Sequence, residues 1–201
     1  QVRTRGSSVD ATLRLRLDND RYLNVTGNTS DQSVEQGGTT NSRSSTDKRS
    51  FALDGRYLLL GWDLDSRFSR GETRAEYPTR TTGGGYGESL QSTAFDAGAA
   101  RKLTGKLRLK ATGSVSLNES RYRTIGDYKS TPANKDSYRQ SYKIDLQYNP
   151  SQRFSSSVGL SATRNVLVNI PSASKSANNE VRSYDVEWRW NYVLLPGLTA
   201  T

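Results

Sequence analysis

Cysteine, histidine and methionine are all missing from the 201 residues. Without cysteine there is no disulfide framework, thiol nucleophile or zinc–thiolate site. Without histidine the usual general base and the commonest metal ligand are gone, and the lack of methionine completes the loss of the common axial haem ligands. Catalysis would have to rest on Asp, Glu, Lys, Tyr or Ser alone, so no enzyme, catalytic residue, metal site or cofactor is expected. Long apolar runs are lacking too. No stretch reaches the roughly 18 apolar residues of a membrane-spanning helix. The opening Gln1-Val2-Arg3-Thr4-Arg5 leads to Gly and Ser, not to the apolar core of an export signal. Only 32% of the chain is hydrophobic, which is little for a soluble domain of this length to bury.

What is present is alternation. Tyr184-Asp185-Val186-Glu187-Trp188-Arg189-Trp190-Asn191-Tyr192 sets an apolar or aromatic residue at every second position and a charged or amide residue between. A strand turns successive side chains to opposite faces, so this segment has one greasy and one ionic face. Leu13, Leu15 and Leu17 alternate with Arg14 and Arg16, and Leu107 to Leu117 keeps the pattern over the length a tilted strand needs to cross a bilayer. This sustained alternation, with three Trp and eleven Tyr, argues against disorder. Short turns are predicted near Asn19, Gly61, Gly105, Pro150 and Gly197. Between them lie polar stretches, Gly27–Lys48, Gly71–Gln91, Asn118–Arg139 and Arg164–Asn179, which read as long loops. The turns recur roughly every forty residues, a period shared by β-propeller blades. A blade, however, packs four short strands into that span, and here each period holds two long ones.

The predicted architecture is therefore all-β: an antiparallel, up-and-down transmembrane β-barrel wall built from consecutive hairpins, with lipid outside and water inside. The alternation assigns Arg14, Arg16, Asp54, Arg56, Asp63, Asp65, Arg67, Asp96, Arg108, Lys110, Lys143, Asp145, Arg153, Asp185, Glu187 and Arg189 to the lumen, with both signs interspersed so that ion-pair ladders can form between strands. Tyr57, Trp62, Phe68, Tyr142, Tyr148, Phe154, Tyr184, Trp188, Trp190 and Tyr192 fall on the lipid side. Most sit close to a turn or loop, where aromatic rings favour the headgroup level. Asp63 with Asp65, and Asp185 with Glu187, could in principle do acid–base work. Arg67 and Arg189 follow them on the same face, which favours charge-compensated ladders.

Other motifs carry little. Asn24-Val25-Thr26, Asn28-Thr29-Ser30 and Asn118-Glu119-Ser120 match the N-glycosylation pattern by letter only, and Gly83-Gly84-Gly85-Tyr86-Gly87 lacks the strand-to-helix context of a phosphate loop. The net charge of +9 is scattered, with no compact basic block and no nucleic-acid motif, so no nucleic-acid partner is expected.

In its short turns, long polar stretches and alternating strands, nearly the whole chain resembles bacterial outer-membrane β-barrel proteins. The resemblance implies export to the outer membrane of a Gram-negative bacterium, short turns toward the periplasm, and membrane lipid and lipopolysaccharide as partners. Such barrels end on a strand closing with an aromatic residue, whereas this chain stops at Leu198-Thr199-Ala200-Thr201. Residues 1–201 are thus expected to be a single β-barrel region, about nine strands and the start of a tenth, completed by further strands of the same or another chain. The expected function is a channel, translocation conduit or sheath with a polar lumen. The alternatives are a membrane-anchored surface binding or adhesion protein presenting its loops, and a soluble or fibrous extracellular β-protein.

Overall fold

The computed structural model describes residues 2–18, 21–36, 42–78, 84–125, 133–170, 178–195 and 198–200. Ten strands follow one another: β1 (Val2–Arg16), β2 (Tyr22–Gln36), β3 (Ser42–Leu59), β4 (Trp62–Pro78), β5 (Gly85–Lys102), β6 (Leu107–Ile125), β7 (Asn134–Ser151), β8 (Phe154–Ile170), β9 (Asn179–Leu195) and β10 (Leu198–Ala200). They form one sheet whose spatial order equals the chain order, every neighbouring pair antiparallel. A single continuous sheet excludes the propeller, which would divide into separate blades.

The strands run further than the alternation indicates. β6 has 19 residues and β1, with 15, is among the shorter of the first nine; a tilted strand needs about 9–11 to cross a bilayer. Much of each stretch expected as loop is strand: β4 continues to Pro78, β5 begins at Gly85, β6 continues to Ile125 and β7 begins at Asn134. The reason is that a sheet is held by backbone hydrogen bonds from the adjoining strand, whatever the side chains. Where both faces are wet, alternation has nothing to select for, yet the ladder still propagates.

There is almost no core. Among the described residues the buried hydrophobics are Ala75 and Ala100 alone, while Tyr184, Val186 and Trp188 are 69–76% exposed. A chain that folds in water buries its large apolar groups. This sheet spreads most of them over one surface.

The turns are tight. Leu60 and Gly61 occupy the left-handed region (φ 51° and 79°) between the paired Leu59 and Trp62, the two-residue hairpin geometry that matches strand twist. The Thr104 hydroxyl accepts from the amides of Lys106 and Leu107 at 3.2 and 3.1 Å, and the Ser151 hydroxyl from those of Arg153 and Phe154 at 3.3 and 3.2 Å. Arg153 therefore belongs to a turn and not to the sheet face expected for it, because the register shifts between Tyr148 and Ser151. Asn19, Gly197 and Gly83 lie outside the described residues.

Leu60 pays steric strain at positive φ while remaining 84% exposed. Leu60→Asn, which tolerates that conformation, should raise unfolding stability by about 1 kcal/mol. Denaturant midpoints of protein refolded into lipid vesicles measure it; an unchanged or lowered midpoint would show that the leucine is not strained.

Candidate functional site

The register sorts the side chains onto two faces. One row of residues directly opposite one another reads Arg14, Asn24, Asp54, Arg67, Asp96, Ser114, Ser141, Thr163, Ser183 from β1 to β9. On this ionic face the structure also places Arg16, Asp63, Asp65, Arg108, Lys110, Lys143, Asp145, Asp185, Glu187 and Arg189. Tyr57, Trp62, Phe68, Tyr142, Tyr148, Phe154, Tyr184, Trp188, Trp190 and Tyr192 all stand on the opposite, apolar face.

Opposite charges meet across the ionic face. Arg67 stands between Asp54 and Asp96, Arg56 faces Asp65, and Lys110 faces Asp145. The close ion pairs on this face run along a strand: Lys143 to Asp145 at 3.1 Å, and Arg189 to Glu187. Cross-strand polar contacts there include Asn24 donating to Asp54 at 3.2 Å, Asn28 donating to Asp10, Ser161 donating to Asp185 at 3.5 Å, and the hydroxyls of Ser114 and Ser141 at 2.8 Å. Arg14 lies over the Tyr22 ring at 4.7 Å. Asp63 faces Leu58 and Ala100, and Arg108 faces Lys102 and Gln147, so neither has an opposite charge directly across.

The apolar face has upper and lower aromatic levels. Phe51 and Tyr57, Trp62 and Phe68, Tyr142 and Tyr148, and Tyr184 and Trp190 are each six positions apart on their strands, roughly 20 Å along the strand. At the turn end, Arg101 lies 5.7 Å from the Trp62 ring and Phe154 packs against Tyr192 at 6.5 Å. Trp188 donates its indole N–H to the Ser156 hydroxyl at 3.0 Å, which satisfies a polar group among apolar neighbours.

Beyond the upper aromatics this face becomes ionic. Arg70, Arg164 and Arg182 each follow two residues above Phe68, Ala162 and Tyr184 in the register. Further up, Arg74 pairs with Glu72 at 2.6 Å, Arg49 with Asp47 at 3.0 Å, and Arg121 with both Glu119 at 3.1 Å and Asp136. Arg123 of β6 reaches across β5 to Glu76 of β4. It does so over Gly87, where a Cβ would meet the Arg123 Nε at 2.8 Å and Cγ at 3.0 Å. Cross-strand ion pairs such as Arg121–Asp136, Arg123–Glu76 and Arg164–Glu180 thus lie on the upper part of this face, whereas ladders were expected on the ionic face.

The far end of the ionic face carries a group that alternation does not disclose. Tyr77 of β4, Tyr86 of β5 and Tyr122 of β6 line up with centroid separations of 5.1 and 6.2 Å. The Tyr122 hydroxyl donates to Glu88 at 3.0 Å. Burial, and then the Glu88 carboxylate, hold the Tyr77 and Tyr122 phenols above the ordinary tyrosine range. Buried Ala75 and Ser120 lie in the same area of sheet. All three tyrosines fall within or beside stretches whose polarity reads as loop, so no sequence signal singled them out. Among the described residues no group of His, Cys, Asp and Glu could hold a metal ion.

No protein-family model and no curated protein sequence matches the chain. Solved structures do. The alcaligin outer membrane receptor FauA from Bordetella pertussis superposes with a TM-score of 0.68 at 14% identity over 96% of this chain. The FrpB iron transporter from Neisseria meningitidis (F3-3 variant) gives 0.70 at 10% over 96%. The ferripyoverdine receptor of the outer membrane of Pseudomonas aeruginosa gives 0.71 at 10% over 96%. The chain spans 33–35% of the length of these structures. The likeness establishes the fold: an antiparallel sheet of the outer-membrane β-barrel kind, here open at both edges.

Gly87→Val should cost about 1 kcal/mol by crowding Arg123. Because that side chain supplies the close contacts, adding Arg123→Ala should recover most of the loss. A double variant as unstable as Gly87→Val alone, by denaturant titration, would show that the backbone and not Arg123 requires the glycine.

Proposed function

We propose that this chain is part of the wall of a Gram-negative outer-membrane barrel that takes up a small solute, its ionic face lining the lumen and its apolar face meeting lipid. The observation that carries the reading is the band between the two aromatic levels. Among the described residues no charged side chain falls in it on the apolar face, whereas the other face at the same height is dense with both signs. Turning those charges toward hydrocarbon would cost about 2–4 kcal/mol for each Arg or Lys at the midplane. The two edges, β1 and β9 beyond its short pairing with β10, must be met by further strands, since unpaired backbone groups are not tolerated in hydrocarbon. Lumenal charges of alternating sign solvate a polar passage without strong selectivity for either sign of ion.

The uptake reading, in preference to a general pore or an adhesin, draws on fold likeness to proteins described as a receptor for alcaligin, an iron transporter and a receptor for ferripyoverdine. Lipid is the first partner. The arginines just above the upper aromatics stand where lipopolysaccharide phosphates would lie.

Ile144→Arg, in the middle of the uncharged band, should lower stability in lipid vesicles by about 2–4 kcal/mol, while Ser114→Arg on the ionic face should change it by less than about 1 kcal/mol. Equal effects would refute the assignment of faces. In parallel, spin labels at 184, 186 and 188 should sense lipid-soluble oxygen, and labels at 185, 187 and 189 water-soluble quenchers. A protein monodisperse without detergent would end the membrane reading.

A further inference from the structure

We infer that Tyr77, Tyr86, Tyr122 and Glu88 form a recognition ledge for an organic cation carrying an aryl or alkyl-ammonium group, at the far, outer end of the lumenal face. This rests on the face assignment proposed above.

Three adjacent strands each supply one tyrosine, and their rings are tilted against one another at 34° and 55°, with centroids 5.1 and 6.2 Å apart. Tyr77 faces Tyr86 directly in the register and Glu88 faces Tyr122, so the ledge is set by backbone pairing and not by loops. Tyr77 remains 40% exposed, leaving ring surface for a ligand. The floor is firm: Ala75 and Ser120, two of the few buried residues of the sheet, lie beside it.

Charge chooses the ligand. The Glu88 carboxylate acts on both Tyr77 and Tyr122, and aromatic faces attract cations through their quadrupole. A carboxylate held by a tyrosine hydroxyl beside exposed ring faces suits an ammonium or guanidinium and repels an anion. The arginines nearest in sequence, Arg74, Arg121 and Arg123, project from the opposite face, and Lys135, which shares the face and stands opposite Ser120, lies two strands away from Glu88.

The test uses the full-length protein carrying this chain, in detergent micelles, with benzyltrimethylammonium as probe and benzyl alcohol and benzenesulfonate as neutral and anionic counterparts. Saturation-transfer NMR should show the cation binding at least tenfold more tightly than either counterpart. Glu88→Gln should weaken the cation about tenfold and leave benzyl alcohol unchanged. Tyr86→Ala should weaken both. Tyr122→Phe, which keeps the ring and frees Glu88, should give a smaller loss than Glu88→Gln. Equal affinity for the three probes, or cation binding indifferent to Glu88→Gln, would overturn the inference. Thermal unfolding and membrane flotation of each variant, run alongside, separate the outcomes. Protein that floats with membranes yet fails to discriminate the probes loses only the ledge. Protein that does not float loses the barrel-wall reading as well.

Discussion

In the membrane wall proposed above, a peptide group cannot leave its hydrogen bonds unmade in hydrocarbon, and from this the rest of the molecule follows. No water is available there, and each orphaned amide or carbonyl costs several kcal/mol. A sheet meets the demand only by passing each strand's donors and acceptors to a neighbour. The ten strands, each paired to the next in chain order, do this along their length. Once the backbone is satisfied by that ladder, the side chains need not make a core. The chain can then be as polar as it is, with only alanines among the buried hydrophobics of its described residues, and still be specified. Register takes over the role that packing has in a soluble domain, because a one-residue slip would exchange the ionic and apolar faces.

The two faces also change character with height. Between the aromatic levels one is apolar and the other ionic. Above them the formerly apolar face carries Arg74, Glu72, Arg121, Asp136, Arg123 and Glu76 in close pairs, while the formerly ionic face presents three tyrosines. These upper pairs are exposed and each contributes little on its own. In the proposed membrane wall they would fix vertical position: sinking the sheet would drag paired charges into lipid, and raising it would lift Trp62 and Tyr192 off the opposite interface.

This two-zone character explains which parts of the fold were legible in the sequence. Alternation marks a strand only where the two faces meet different solvents, so Leu107 to Leu117 and Tyr184 to Tyr192 could be read directly, together with the faces of Arg14, Lys143 and Trp188. In the proposed wall the outer halves, such as Gly85 to Ser92 or Asn134 to Tyr138, meet water on both sides. Their side chains carry no period, and their strand conformation is imposed by partners distant in sequence. Tyr77, Tyr86 and Tyr122 were missed for the same reason: only the pairing of β4 with β5 and β5 with β6 brings them together. Ladders of ion pairs were expected in the lumen because alternation sets charges of both signs on one face, but alternation cannot tell an opposed charge from a bonded one.

The strict agreement of spatial order with chain order has a consequence for how such a protein is made and how it varies. In the backbone ladder every described strand is paired only with the one before and the one after it, so the molecule behaves to first order as a linear array of hairpins with nearest-neighbour coupling, in the manner of repeat proteins. A hairpin can be laid against the growing edge without waiting for distant parts of the chain. For the same reason a hairpin duplicated or deleted in the gene changes the circumference of the finished wall while leaving each remaining seam as it was.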